Sequence, residues 1–330
     1  MTINPLENLR GPDVSHCRNA SEAFDLALLN RWNVRLARLE AYDEEFDDSM
    51  FYIFETEMRA NSIPVEDYFA TVFDSPFSEK VEVLGVVGRR YRPVQNEKLH
   101  ELLDTACSLA DANFHRAGWL SRKKRVYASL QLRKKEYVGG IDQMKFFLVV
   151  ATSHDGSFTF RFELKALRAA SGTLESVLGP TTALQYRAKH TANARSRIDE
   201  LREFLSDLSQ MISDYLENAN KLFRSPITES EAQEIAMILM GAKGASSPQR
   251  VAKIEEMGGE YLMVLRRNLN DELNLSRWIA YQSFVEWFQF YANIQVKGES
   301  ESYIRASRTV FPSASETKAY AKALRSFSGN

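Results

Sequence analysis

The chain has 330 residues, a net charge of −2 and a composition typical of an ordinary soluble globular protein. No apolar run approaches the ~20 residues that span a membrane, and the N-terminus has neither the basic start nor the apolar core of a signal peptide. The two cysteines, Cys17 and Cys107, form no CxxC pair, which favours a reducing cytoplasm and argues against a disulfide framework or a thiolate metal site.

The N-terminal part predicts little regular structure before its first strand. Residues 1–20 predict a loose lead-in, and residues 21–29 predict a short helix with Ser21 as its N-cap. Alternation of side-chain character over residues 33–39 predicts a strand.

An acidic run and a proline-containing segment follow. Residues 43–48 (DEEFDD) are interpreted as a solvated turn, with a metal-binding carboxylate cluster as the less favoured alternative. Residues 51–59 are a further strand candidate. Residues 63–80 carry Pro64 and Pro76, which predict irregular structure or a lid-like insertion.

The next segment, residues 81–94 (VEVLGVVGRRYRPV), is β-branched and predicts a strand. Gly85 and Gly88 indicate a bulge or a close approach, since a glycine inside a strand often marks one. Neither glycine belongs to a GxGxxG or P-loop pattern, so no nucleotide cradle is indicated. Asn96 is predicted to cap a helix over residues 97–111, which has leucines and alanines on one face.

The strongest local signal is a hairpin over residues 146–164, where two β-rich runs flank Asp155-Gly156. An Asp-Gly pair predicts a tight type I′ turn. The first arm is apolar throughout and predicts a central strand. The second arm alternates, which predicts a half-buried strand with one face in water.

Residues 119–132 predict one strand that changes character midway, and residues 166–178 predict a helix. The middle of the chain therefore predicts an α+β fold: an antiparallel or mixed sheet with helices on one face, followed by a largely helical C-terminal half. The sequence predicts three segments: an acidic N-terminal segment of the α+β part (1–80), a basic α+β core with the hairpin (81–189) and a helical C-terminal region (190–330).

The C-terminal half opens with an apolar heptad seam whose members step by three and four residues. They are Ile198, Leu201, Leu205, Leu208, Ile212, Tyr215, Ala219 and Leu222. One interpretation is a single long helix packed on the sheet or on a neighbouring helix. The other is self-association through the seam.

Further helices are predicted towards the C-terminus. A capping box at residues 228–231 predicts a helix over residues 232–240, and residues 241–250 are predicted to form a flexible loop. Ser276 caps an aromatic helix that ends at Ala292, and its aromatic stripe is interpreted as core. Residues 317–327 predict a short terminal helix.

Several of these segments together resemble the phage/plasmid-like domain-of-unknown-function 932 family. The matching pieces are LGVVGRRYRPVQN (84–96), TSHDGS (152–157) and KHTANARSRI (189–198), with a C-terminal aromatic helix and a basic segment around Arg305 and Arg308. The likeness covers roughly residues 20–325. A cysteine-asparagine pair usual after the hairpin is absent, and the sequence AASG stands there.

The resemblance implies a phage, prophage or plasmid origin and no established chemistry. Such genes often lie among replication and recombination genes. The predicted order of strand, helix, strand, hairpin and helix is also similar to that of single-strand annealing proteins of the RecT and Redβ type, a likeness at the level of fold.

Two histidine positions, His154 beside Asp155 and His190, are the candidates for acid–base chemistry. The favoured interpretation is that Asp155 serves the turn and that His154 is solvated or hydrogen-bonded nearby. No HExxH, GxSxG or spaced carboxylate set is present. No catalytic residue, metal ligand or cofactor is therefore predicted.

The segment of residues 116–135 carries eight basic side chains, no acid and interleaved aromatic residues. Basic side chains neutralise phosphates and aromatic rings stack on unpaired bases, so this segment predicts a nucleic-acid surface. The alternative is a solvated strand edge protected by lysines. The predicted site consists of Arg89, Arg90, Arg92, Arg116, Trp119, Arg122, Lys123, Lys124, Arg125, Tyr127, Arg133, Lys134 and Lys135. The first three are included because their strand is a candidate neighbour in the sheet.

The sequence thus predicts a cytoplasmic phage or mobile-element protein that binds single-stranded DNA and anneals strands in recombination or replication. A homo-oligomer is expected, because annealing proteins need several protomers to hold an extended strand. The alternative is a protein-interaction module acting against a host defence, since residues 1–80 hold 16 acids and 7 bases.

Overall fold

The computed structural model describes residues 4–42, 62–158, 160–177, 194–296 and 298–329. The acidic run 43–48, the strand candidate 51–59 and His190 lie outside the described residues. No helix in the described part of the chain is both long and apolar enough to cross a membrane.

Two antiparallel sheets form the N-terminal half. The strands are β1 (Arg35–Tyr42), β2 (Ser62–Asp74), β3 (Val81–Gly88), β4 (Ala112–Leu120), β5 (Arg125–Leu132), β6 (Glu136–Val138), β7 (Asp142–Ser153), β8 (Phe160–Arg168) and β9 (Leu174–Ser176). The first three strands form one sheet in the order β1-β2-β3. The other sheet has the order β4-β5-β7-β8-β9, with β6 paired to β7.

One of the described α-helices precedes the strands, a second lies among them, and the others follow the sheets. The helices are α1 (Ala20–Leu26), α2 (His100–Leu109), α3 (Ala194–Ser206), α4 (Leu208–Arg224), α5 (Glu229–Leu239), α6 (Pro248–Arg267), α7 (Arg277–Phe290), α8 (Glu301–Val310) and α9 (Ala314–Ser328). Short 3-10 helices lie at Pro5–Asn8, Asn96–Leu99 and Ala242–Gly244. The α+β class with a helical C-terminal half is confirmed.

The central hairpin is confirmed, but its turn is not the predicted type I′. The last paired residues of β7 and β8 are Thr152 and Phe160, so the connection is longer than two residues. Gly156 has a φ of 77°, whereas Asp155 is not among the residues with positive φ. The loop is closed instead by the Asp155 carboxylate, which accepts the backbone N–H of Ser157 at 3.0 Å.

The second arm of the hairpin was expected to have one face in water, and the structure contradicts this. Both Glu163 and Lys165 of β8 are buried. A second apolar cluster covers this face of the larger sheet, formed with the N-terminal Leu6 and Leu9 and with Val310 of α8. Helices therefore lie on both faces of the larger sheet, and residues 1–20 are a packed segment where a loose lead-in was predicted.

Residues 63–80 do not form a lid, since most of them belong to β2. Pro64 is accommodated because β3 pairs with β2 only from Tyr68 onwards, so β2 has β1 as its single described neighbour at the proline. Residues 166–178 are also not helical. They complete β8 and form β9, and Gly172, with a φ of 74°, lies in the turn between these strands.

The heptad seam spans two helices, α3 and α4, and it faces the inside of its own protomer. Leu201, Leu205, Leu208, Ile212, Ala219 and Leu222 all belong to the main hydrophobic core. Packing of the seam within the fold is confirmed, but the prediction of one long helix is wrong, because α3 ends at Ser206 and α4 begins at Leu208. These six residues are buried and are therefore not available to a second copy. The aromatic stripe of α7 is likewise core, with Trp278 and Trp287 buried and Ser276 as the N-cap.

Candidate nucleic-acid interface

The SRKK sequence is the turn between two strands, where one continuous strand was predicted. Ser121, Arg122 and Lys123 all have positive φ angles, between 52° and 68°. Such angles reverse the chain direction, and β4 then pairs with β5 from Ala112 to Leu120. Arg122 is therefore presented at an exposed hairpin tip.

This turn divides the predicted basic surface in two. We call Arg122, Lys123, Lys124 and Arg125 the tip cluster, and Arg133, Lys134 and Lys135 the far cluster. Arg125 is the first residue of β5, and the seven following residues of this strand separate the two clusters. At the rise of a β-strand they lie roughly 25 Å apart, so they do not form one continuous patch.

Lys123 of the tip cluster is largely committed to a structural ion pair. Its Nζ lies 2.7 Å from Glu82 Oε2 of β3, and its side chain is 17% exposed. Hydrogen bonds from Lys123, Ser75 and Ser78 lower the pKa of the Glu82 carboxyl to about 2. The ammonium also lies 5.1 Å from the ring centre of Phe77. Lys123 thus ties the hairpin tip to the smaller sheet.

Arg122 and Lys124 are the members of the tip cluster that the structure leaves available. Among the described residues, neither side chain has a carboxylate partner within ion-pair distance. Arg125 is partly exposed and lies over the Phe158 ring at 5.5 Å. Arg116 is half-buried and donates to the carbonyl oxygen of Gly11, so its guanidinium holds the N-terminal segment.

The far cluster is exposed but mostly paired. Arg133 contacts Asp111 at 3.1 Å and donates to the Asn113 side chain. Lys134 pairs with Glu136. These neighbouring acids and amides reduce the positive field at this end of β5.

The aromatic residues that were predicted to stack on bases are not free to do so. Tyr127 is fully buried, and its hydroxyl donates to the carbonyl oxygen of Arg10 at 3.0 Å. Trp119 is half-buried, with the Arg10 guanidinium 4.7 Å from its ring centre and Phe77 against its edge. The stacking role predicted for Tyr127 is therefore wrong, because the sheet face on which it lies is covered.

Arg89, Arg90 and Arg92 were included as sheet neighbours of the basic stretch, and this reason does not hold. They follow β3, which belongs to the smaller sheet. All three are exposed, and Arg89 pairs with Asp67 at 3.2 Å.

The tip cluster borders a groove that the sequence did not indicate. The groove has a volume of about 400 Å³ and is lined by Ser121, Arg122, Lys124, Gly298, Glu299, Tyr303, Ile304, Ser307 and Arg308. Three of these side chains are cationic and one is a carboxylate. That carboxylate, Glu299, is already paired with Arg10 at 2.5 Å.

The groove therefore brings Arg308 of α8 to the hairpin tip from a distant part of the sequence. Arg308 also pairs with Glu316 of α9. The basic segment around Arg308 was visible in the sequence, but nothing there indicated that it meets residues 121–124. Arg10 was missed altogether, since an isolated arginine in an N-terminal segment carries no pattern.

The β7–β8 loop, which contains the matched piece 152–157, lies beside the hairpin tip. Residues of the matched piece 84–96 hold this loop in place. Tyr91 donates to the carbonyl oxygen of Ser153, and His154 Nε2 lies 2.9 Å from Asn96 Oδ1. A Cβ on Gly85 would approach the Cβ of Asp155 to 2.8 Å, which explains the glycine. Asn96 thus bonds this loop, where a helix N-cap was predicted.

The same geometry bears on the histidine chemistry considered above. His154 is fully buried and bonds Asn96, so it is not oriented by Asp155 and is not solvated. Burial lowers the pKa of the His154 imidazole to about 4. Within the described ranges, no group of three histidine, cysteine, aspartate or glutamate residues is placed to hold a metal ion.

A comparison with protein-family models matches residues 83–319 to the domain of unknown function DUF932. The chain belongs to the DUF932 family. Comparisons with curated proteins and with solved structures gave no match. The DUF932 match begins within β3 and covers the larger sheet and helices α2 to α8, whereas β1 and β2 lie outside it. All residues that line the groove therefore lie within the matched region.

Proposed function

We propose that this protein binds nucleic acid at the groove beside the β4–β5 hairpin tip, with single-stranded DNA as its ligand. The supporting observation is the lining of that groove: Arg122, Lys124 and Arg308, opposed by one carboxylate that is already paired with Arg10. The proposal places the protein in recombination or replication of a phage or mobile element, in the cytoplasm of the host cell.

Phosphate neutralisation is the physical basis of the proposal. A strand that enters the groove exchanges its condensed counterions for fixed arginine and lysine side chains, and the released ions favour binding. Ser121 and Ser307 add hydroxyl donors that suit phosphate oxygens. Contacts of this kind fix the backbone without reading its sequence.

Base stacking contributes less than the sequence suggested, because Tyr127 is buried and Trp119 already packs against Arg10. The proposed binding is therefore mainly electrostatic. We expect weak dependence on base composition and strong dependence on salt.

The decisive experiment compares two charge-matched double variants. One is Arg122→Ala with Lys124→Ala at the groove, and the other is Lys134→Ala with Lys135→Ala in the far cluster. Binding of a fluorescent oligonucleotide is followed by anisotropy over a series of salt concentrations, and circular dichroism verifies folding. Both variants remove two positive charges, so a difference between them reports position and is independent of net charge.

Suppose that the three groove cations, Arg122, Lys124 and Arg308, each engage one phosphate. The slope of log K against log salt for the parent should then be near −2, since each neutralised phosphate of a single strand contributes about −0.7. The groove variant should lose more than half of that slope, and the far variant should keep it. Equal behaviour of the two variants, or a parent without affinity for the oligonucleotide, would overturn the proposal.

Annealing is the more specific part of the proposal, and it requires several protomers on one strand. Because the heptad seam is buried, the contact between protomers must lie elsewhere. A mass measurement in solution with and without the oligonucleotide tests this part. A monomer of 37.7 kDa in both conditions contradicts annealing. A pull-down that recovers one stoichiometric host protein, with no DNA affinity, supports the alternative of a protein-interaction module.

A further inference from the structure

A cavity of about 390 Å³ opens between β9 and the helices α4, α7 and α9, remote in the chain from the hairpin tip. Its lining is mostly apolar and includes Glu175, Asp214, Tyr215, Trp278, Tyr281 and Tyr320. Its volume falls within the range of about 300–1,000 Å³ that is usual for small-molecule sites.

The charged side chains that line this cavity are all acidic. Glu175 lies on the wall and Asp214 is exposed on α4, whereas no lysine, arginine or histidine occurs among the lining residues. The groove at the hairpin tip has the opposite character, with three cations. The two concave sites therefore suit ligands of opposite charge.

Glu175 differs from the other buried carboxylates that the structure describes. Asp142 pairs with Arg168, Glu163 pairs with Lys165, and Glu286 pairs with Arg267. Glu175 has no cationic partner in the described part of the chain. It accepts hydrogen bonds from Tyr215 at 2.6 Å, Tyr281 at 2.5 Å and Gln282 at 2.8 Å.

These three donors orient the Glu175 carboxyl group, but none of them brings a positive charge. Burial raises the pKa of this carboxyl in spite of the three donors. A buried carboxylate is costly unless it is paired with a cation. The other three buried carboxylates meet this requirement within the protein, whereas Glu175, on the cavity wall, has no counter-charge among the residues that the structure describes.

Aromatic rings form much of the remaining wall. Trp278 lies 6.3 Å from Tyr215 and 6.2 Å from Tyr281, measured between ring centres. Tyr320 adds a fourth ring from α9. Electron-rich faces of tryptophan and tyrosine attract cations, and a box of such rings is the usual means of holding an alkylated ammonium group.

We propose that this cavity binds a small organic cation of the alkylated-ammonium class, with Glu175 as its counter-ion and Tyr215, Trp278, Tyr281 and Tyr320 as its walls. The ligand supplies a positive charge that Glu175 does not receive from the described residues. Its methyl groups occupy the apolar part of the cavity beside these rings, and its desolvation is offset by the ion pair and the cation–π contacts.

The first test uses the full-length parent protein and a pair of nearly isosteric probes. Choline carries a quaternary ammonium, and 3,3-dimethylbutan-1-ol replaces its nitrogen by carbon and is neutral. Isothermal titration calorimetry should show choline binding at least tenfold more tightly than the alcohol. Trp278 fluorescence should change on titration with choline. Equal affinity for the two probes, or no binding of choline, would overturn the proposal.

Variants then assign the effect to the cavity. Glu175→Gln keeps the volume and an acceptor oxygen but removes the charge, and it should weaken choline binding at least tenfold. Glu217→Gln, on the exposed side of the same helix as Tyr215, is the matched control and should bind like the parent.

Tyr320→Leu should weaken binding more than Tyr320→Phe, because the phenylalanine ring keeps the aromatic face. If Glu175→Gln does not fold, the comparison of the two probes on the parent still decides the matter. Retained choline affinity in folded Glu175→Gln contradicts the role of Glu175. None of these substitutions touches the groove at the hairpin tip, so the result is independent of nucleic-acid binding.

Discussion

His154 and Asn96, 58 positions apart in the sequence, face each other in the interior with 2.9 Å between Nε2 and Oδ1. Asn96 also donates to the carbonyl oxygen of Leu29 at 2.8 Å, and Thr71 donates to that of His154 at 2.7 Å. This junction joins the smaller sheet and the entry to α2 to the β7–β8 loop. It holds that loop beside the cationic hairpin tip.

Removal of Asn96 should therefore destabilise the protein. Asn96→Ala leaves the Nε2–H of His154 without its acceptor in a buried site, at a cost of about 1–3 kcal/mol. Urea unfolding at neutral pH measures this change. Asn113→Ala, at an exposed position, is the matched control and should change the free energy of unfolding by less than about 0.5 kcal/mol. A parental stability for Asn96→Ala contradicts the structural role of the junction.

Because His154 is buried, we also expect the free energy of unfolding to depend on pH. Burial lowers the pKa of His154 to about 4, against the opposing effect of Asp155, so the folded state favours the neutral ring. The neutral His154 ring makes its full contribution to the free energy of unfolding above pH about 6.5. The contribution is lost as the pH falls from 6.5 through 4, and it amounts to at most about 3 kcal/mol. His115, whose pKa burial also lowers to about 4, acts in the same direction.

Unfolding of the parent and of His154→Gln should be compared across this pH range. The difference in free energy of unfolding between them should shrink as the solution is acidified, because the parent loses the contribution that the variant lacks. A constant difference from pH 7 to pH 4 is the result that this explanation cannot accommodate.

Gly85 should tolerate no side chain. An added Cβ would lie 2.8 Å from the Cβ and 3.0 Å from the Cα of Asp155, so Gly85→Ala forces two packed segments apart. We expect a loss of about 1–3 kcal/mol in thermal or urea unfolding. Gly259→Ala is the contrasting variant: nothing lies within 4 Å of its Cβ position on α6, and it should stabilise the protein by up to about 1 kcal/mol.

Tyr127 should prove structural and separate from ligand binding. Tyr127→Phe removes the hydrogen bond to Arg10 and should cost on the order of 1 kcal/mol of stability. Oligonucleotide affinity of the folded variant should equal that of the parent, as measured by anisotropy. A selective loss of affinity with unchanged stability would restore the stacking role that the sequence suggested.

A substitution in the heptad seam should lower the free energy of unfolding by the same amount at every protein concentration. Leu201→Ala removes a buried side chain of α3 and should lower the free energy of unfolding by about 2–5 kcal/mol. Glu203→Ala, at an exposed position of the same helix, is the control. If the seam joined protomers instead, the effect of Leu201→Ala would depend on protein concentration.

Local patterns in the sequence determined the α+β class, the β7–β8 hairpin and the N-caps Thr228 and Ser276. These features depend on residues that are close in the sequence. A strand shows alternation of its side chains, and an N-cap side-chain oxygen accepts the backbone N–H three residues later. The sequence also identified the family, and two of the three matching pieces, 84–96 and 152–157, pack against each other. The basic residues were correctly recognised as a charge concentration, but not as two clusters.

Only the tertiary structure decided which of those residues are exposed and which of them lie close together. The positive φ angles at residues 121–123 bend the basic stretch into a tip, and β5 carries the other cluster to the opposite end. Coverage of the second sheet face by Leu6, Leu9 and α8 buries Tyr127, although its own segment gives no sign of this. Arg308 meets Arg122 and Lys124 at the groove, and Glu175 accepts a hydrogen bond from Tyr215, across more than thirty positions in each case. Such contacts arise from the packing of elements and not from sequence spacing.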